Sequence, residues 1–191
     1  MEKNSQALAT ALLVMDIQSP TMTMVGENAS ALIATLKQAI AAARKSGIPV
    51  FYVVVGFRKG YPELSPYSKM APTIKSGALG NLEDPTVDPA LGLQPEDIVI
   101  TKRRLGAFSG SDLDVLLRAN RIYNLVLAGI ATSGVVLSTY TEAIDKDYLV
   151  TILSDGCADR DPEVHNVLLG KVFPRRADVL TTEQWIAGLN K

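Results

Sequence analysis

An α/β fold, doubly wound around an all-parallel sheet, is predicted by three features of this sequence. Apolar runs rich in β-branched residues recur along the chain, helical patterns fall between them, and the runs are nearly continuous rather than alternating. Continuous runs suit strands buried on both faces, and parallel strands need a crossover of helical length between them. Strands are predicted at 11–17, 50–55, 98–101, 125–129 and 149–153, with a short sixth at 178–180. The first long helix is predicted over residues 27–46, an alanine- and leucine-rich stretch that stops at Gly47 with Pro49 just beyond. Further helices are predicted at 112–118, 133–146 and 162–171, and the last, 182–189, takes Thr181 or Thr182 as its cap. In such a sheet, ligands bind outside the carboxyl ends of the strands.

Residues 57–97 break the rhythm and hold six of the ten prolines. Long irregular segments in compact domains are usually functional or disordered. Phe57, Tyr61 and Tyr67 are spaced through this one, which favours an ordered lid or partner-facing loop over a proline-stiffened surface excursion. At 191 residues the chain is expected to form a single domain, 1–191, around one substantial core. With 19 basic and 20 acidic side chains it carries a formal charge of −1 and no basic run. That leaves no electrostatic footprint for nucleic acid or an anionic membrane. The first ten residues lack the layout of a signal peptide, and the apolar stretches are too short to span a bilayer. One cysteine, Cys157, and one histidine, His165, exclude an internal disulfide and disfavour a His/Cys zinc site. A reducing compartment, the cytoplasm, is expected, with no cofactor.

Charged residues at strand ends carry the chemical signal. Asp16, in LLVMDIQ, falls at the carboxyl end of a strongly apolar strand, where it either faces the crevice or caps the next turn. Lys102 follows the strand IVIT in the same way. Alone it reads as a solvated lysine; beside Asp16 it would keep that acid ionised. The segment LVLAGIATSGVVLST, from Leu125, breaks a buried strand at Gly129 and starts a helix a few residues later, an anion or oxyanion site in waiting.

DIQ from Asp16, TKRRLGAFSGSDLDVLL from Thr101, GIATSGVVLST from Gly129 and DKDYLVTILSDGCADRDPEVH from Asp145 stand in one order over about residues 10–181. In order and spacing they resemble the isochorismatase-like hydrolases, also called cysteine hydrolases. The resemblance implies a three-layer α/β/α sandwich around a six-stranded parallel sheet, assembled as a homo-oligomer, dimer or tetramer. It implies that Asp16 and Lys102 are catalytic and that the Ile130–Ala131 bond is cis. The N–H groups of Ala131 and Val135 would face a developing oxyanion. Gln18, Phe57, Arg58, Phe108 and Thr132 are the candidate substrate-binding residues, Arg58 being equally readable as a solvated rim charge.

The sequence departs from the family pattern at one place. Three residues after Thr132, where most relatives carry the nucleophilic cysteine, stands Val135, and Val136 follows it. Valine cannot attack a carbonyl. Cys157 is expected to be a buried small hydrophobe and His165 structural or superficial. The family's Asp-x-His metal pair is missing from VVVGFRKGYPE, so no metal is expected. The resemblance implies a thiol-independent hydrolase of a small carboxylated molecule with Asp16 as general acid or base, as in vinyl ether hydrolysis of the isochorismate type. The alternatives are a silent binding or sensor protein on the same scaffold, and a Cys-to-Val variant of an amidase.

Overall fold

The apolar runs pair into one sheet in the computed structural model, which describes residues 9–23 and 25–189. The opening residues weighed against a signal peptide lie, through residue 8, outside the described residues. The strands are β1 (Ala9–Met15), β2 (Val50–Val55), β3 (Ile98–Lys102), β4 (Ile122–Ile130), β5 (Leu149–Ala158) and β6 (Asp178–Leu180). All pair in parallel, in the order β3-β2-β1-β4-β5-β6. The helices, in chain order, are α1 (Ser19–Met22), α2 (Ala29–Lys45), α3 (Ala71–Lys75), α4 (Leu113–Ala119), α5 (Leu137–Asp145), α6 (Pro162–Val167) and α7 (Thr182–Leu189).

Alternation of side chains along each strand builds two cores. Ala11, Leu13 and Met15 of β1 and Leu125 and Leu127 of β4 pack on one face with Leu113 and Leu117 of α4 and Tyr140 and Ala143 of α5. Leu12 and Val14, with Val126 and Ala128, pack on the other against Leu32, Leu36, Ala39, Ile40 and Ala43 of α2 and Trp185 of α7. The α2 residues recur every three or four positions, which lines them along one face of the helix. Burying each large apolar side chain stabilises by roughly 1.5–3 kcal/mol. The result is the three-layer α/β/α sandwich. Among the described residues, no helix is long and apolar enough to cross a membrane.

Four elements differ most from expectation. β4 does not stop at Gly129 but runs to Ile130, and β5 continues to Ala158 past a register shift that brings Cys157 opposite Gly129. Gly129 has φ +152°, and a Cβ there would lie 2.3 Å from the Met15 carbonyl oxygen, so β1 and β4 approach more closely than any side chain permits. The helix predicted at 133–146 begins instead as a wide π-type turn, Thr132–Val136, and only then becomes α5. Two tertiary bonds hold that turn: Thr132 Oγ1 to His165 Nδ1 at 2.8 Å, and Ser133 N donating to Asp159 Oδ2 at 2.7 Å. The helix predicted at 162–171 likewise stops at Val167 and passes into a second π-type turn, Leu168–Val172. At α7, Thr181 Oγ1 accepts from Gln184 N at 3.2 Å while Gln184 Oε1 accepts from Thr181 N at 2.9 Å, a reciprocal cap.

Candidate active site

Strand order reverses direction between β1 and β4, and the crevice opens at that switch point. Asp16 follows β1 directly, in a left-handed conformation (φ 56°) that turns the chain out of the sheet. Its N–H donates to the Val53 carbonyl at 2.7 Å, and its own carbonyl accepts from Thr21 Oγ1. Lys102 ends β3, two strands away, which is about 10 Å at the usual strand spacing. Only a long side chain spans that distance, and the Lys102 ammonium lies 3.0 Å from Asp16 Oδ2. It also donates to the carbonyls of Arg104 and Leu105, each at 3.0 Å, so its three protons are all engaged.

Asp16 and Lys102 are both buried. The Asp16 carboxyl is pushed up from 3.8 to about 6, because burial disfavours its charge more than the ion pair and hydrogen bond to Lys102 restore it. The lysine therefore does less than the sequence suggested: the acid stays mostly ionised at neutral pH, yet close enough to titration to hold or release a proton. Among the described residues, Asp16 Oδ1 is the one buried side-chain oxygen or nitrogen without a hydrogen-bond partner.

Above this pair lies a cavity of about 480 Å³. Its floor and back wall hold Asp16, Lys102, Ile130, Ala131, Gly134 and Val135. The Ile130–Ala131 peptide bond is cis. The proline-rich segment forms the opposite wall, where Phe57, Leu64, Met70, Ile74, Leu79 and Leu82 face inward. Phe57, Ile74 and Leu82 make a small core of their own, so this segment is an ordered wall. It is pinned to the sheet end where Gly80 (φ 77°) meets Pro20, whose Cγ would lie 2.2 Å from any Cβ at position 80.

The candidate residues divide into two groups. Asp16, Lys102, Phe57, Ile130, Ala131 and Val135 share the cavity. Gln18, Arg58, Phe108 and Thr132 do not line it. The Gln18 amide is occupied by the end of β2, accepting from Val55 N at 2.9 Å and donating to Val55 O at 3.3 Å. Arg58 points to solvent and pairs with Glu63 at 2.6 Å. Phe108 packs into the core between the sheet and α4–α5, its ring 5.7 Å from that of Tyr148. Thr132 is buried against His165, which gives that histidine the structural partner its sequence neighbours did not disclose. Sequence reasoning passed over Arg103, Arg104 and Leu105, which line the cavity immediately after Lys102. Their place in the same post-strand loop was the available signal.

A family model, the isochorismatase domain, matches residues 10–184. The chain belongs to the isochorismatase family of hydrolases. It is 34% identical to the uncharacterized isochorismatase family protein YecD of Escherichia coli O157:H7, over 96% of this chain and 97% of that one. It is also 34% identical to the ureidoacrylate amidohydrolase RutB of Stutzerimonas stutzeri, over 83% of this chain and 73% of that protein. Among solved structures, an isochorismatase family protein from Burkholderia thailandensis superposes with a TM-score of 0.86 at 31% identity, covering 96% of both chains.

In this isochorismatase-family chain, no thiol lines the cavity among the described residues. Cys157 lies on β5 instead, buried beside Gly129 of β4, with Sγ 3.9 Å from the Leu127 carbonyl, and burial pushes its thiol up to about 12. At that value it is neutral at any physiological pH and is no nucleophile.

Proposed function

We propose that the protein is a thiol-independent hydrolase of a small molecule, with Asp16 as the proton carrier. The observation that carries this reading is Asp16 Oδ1, buried at the cavity floor with no partner, on a carboxyl pushed up to about 6. A group with a pKa near the working pH is suited to both giving and taking protons. Lys102, held by two carbonyls, fixes the other oxygen and sets the orientation of the carboxyl. Val135 lines the cavity and offers only methyl groups, so it supplies no nucleophile for a covalent route.

Enol ether hydrolysis fits these parts best. Protonated Asp16 delivers its proton to the alkene carbon, leaving an oxocarbenium ion on the ether side. Water adds to that cation, and the hemiketal collapses to a ketone and an alcohol while the carboxylate recovers a proton. Every step is proton transfer or water addition, so no acyl-enzyme is required. The kinship with a ureidoacrylate amidohydrolase supports hydrolysis as the reaction class. Amide hydrolysis without a thiol would use the same carboxylate as general base on water.

The test is turnover of simple aryl and alkyl enol ethers and small amides, with the dicarboxylate enol ether isochorismate for comparison, followed by chromatography, with Asp16→Asn in parallel. Turnover of an enol ether that disappears in the variant supports the reading; turnover that survives in Asp16→Asn refutes it. The largely apolar, thiol-free lining favours a second reading, a binding protein without chemistry, and ligand-induced stabilisation with no product in any arm would select it.

A further inference from the structure

The geometry points to a substrate with an apolar body, aryl or branched alkyl, that carries at most one anionic group, and holds that group at the cavity mouth rather than at its floor. The reacting end is assigned by the proposed function; the body and charge are assigned by the lining.

Six lid side chains, Phe57, Leu64, Met70, Ile74, Leu79 and Leu82, face the Ile130–Val135 turn across a space of about 480 Å³. A cavity of that size and lining takes up an apolar body of small-ligand dimensions. Its cations are mostly committed. Lys102 has its three protons on Asp16, Arg104 O and Leu105 O. Arg103 donates to the Gly56 carbonyl at 2.7 Å and pairs with Glu63 at 3.4 Å. Ser65 and Ser68, at the rim, accept from the backbone N–H groups of Tyr67 and Met70. Among the described cations of the lining, only Arg104, exposed and held by a single bond to the Arg103 carbonyl, is largely uncommitted; the Ser65 and Ser68 hydroxyls, serving as acceptors, each keep an O–H to donate at the rim.

One carboxylate is therefore accommodated at the mouth, beside Arg104. A second would lie deeper, against apolar walls and the Asp16 carboxyl, with no uncommitted cation to pair with it. An unpaired buried charge is costly, and a like charge nearby adds to the cost.

The experiment measures equilibrium binding by fluorescence at pH 8 with three probes sharing one ring system: 2-acetylnaphthalene, 2-naphthoate and naphthalene-2,6-dicarboxylate. The expected order is tight binding of the ketone and the monoacid, with the diacid weaker by about tenfold or more. Arg104→Gln weakens 2-naphthoate several-fold and leaves the ketone unchanged. Met70→Glu, at the exposed rim of the lid, weakens both. A diacid that binds as tightly as the monoacid overturns the inference, as does failure of both simpler probes to bind. Binding indifferent to Met70→Glu places the probes elsewhere and overturns it too. None of the probes has a hydrolysable bond, so this order is independent of turnover. If the binding order fails, the Asp16 chemistry still stands; if turnover fails, the binding order does.

Discussion

Replacing Asp16 with asparagine should change the pH dependence of stability in a direction that separates burial from ion pairing. The carboxyl titrates at 3.8 in an exposed chain and at about 6 when folded, so between those values the folded state binds more protons than the unfolded state. Stability falls with rising pH wherever that holds. The contribution of Asp16 is thus fully present below pH 3.8 and is lost as pH rises through about 6. At about 1.4 kcal/mol per pH unit, a shift of some two units amounts to roughly 3 kcal/mol. Asparagine keeps the shape and an acceptor for Lys102 but does not titrate, and every other group is common to both proteins. The free energy of unfolding of the wild type minus that of Asp16→Asn should therefore drop by roughly 3 kcal/mol between about pH 4 and pH 7.5. Urea unfolding followed by circular dichroism reads this as a relative midpoint shift on the order of 1 M. A flat difference refutes the reasoning. A difference that grows with pH inverts it, and means that Lys102 holds the carboxyl below its ordinary value.

Three further predictions follow from the same contacts. Lys102→Met removes the counter-ion and leaves two backbone carbonyls without a donor. It should cost roughly 3–5 kcal/mol at pH 8 and less at pH 5, where Asp16 is protonated, and a cost independent of pH contradicts the pairing. Cys157, buried and with its thiol pushed up to about 12, should resist Ellman's reagent in the native protein and react fully in denaturant; rapid native labelling contradicts its burial in the core on β5. Gly129→Ala puts a Cβ 2.3 Å from the Met15 oxygen and should destabilise by at least about 2–3 kcal/mol, read from its urea midpoint, whereas a neutral effect contradicts the close approach of β1 and β4.

The sheet was legible because strands buried on both faces leave continuous apolar runs, and Asp16 and Lys102 were legible because each ends such a run with a charge. Other features depend on contacts far apart in sequence. Gln18 looked like a substrate ligand from its place beside Asp16, but its amide is taken up by Val55, 37 residues on. Phe108 follows Lys102 closely, yet the loop turns it into the core against Tyr148, and nothing local says which way a loop residue faces. Ser154, Asp155 and Gly156 resemble a turn, although a register shift lets β5 run on through them. The turn after Ala131 was expected as plain helix, because the bonds that shape it come from Asp159 and His165 on other elements. The lid gave its composition away but not its inner face, which is set by packing of Phe57, Ile74 and Leu82.

The most direct measurement is turnover of the enol ether and amide panel by the wild type, Asp16→Asn and Cys157→Ala under identical conditions. The account predicts a loss of about 10²-fold or more in Asp16→Asn, with Cys157→Ala unchanged. Turnover that requires Cys157 and ignores Asp16 contradicts it.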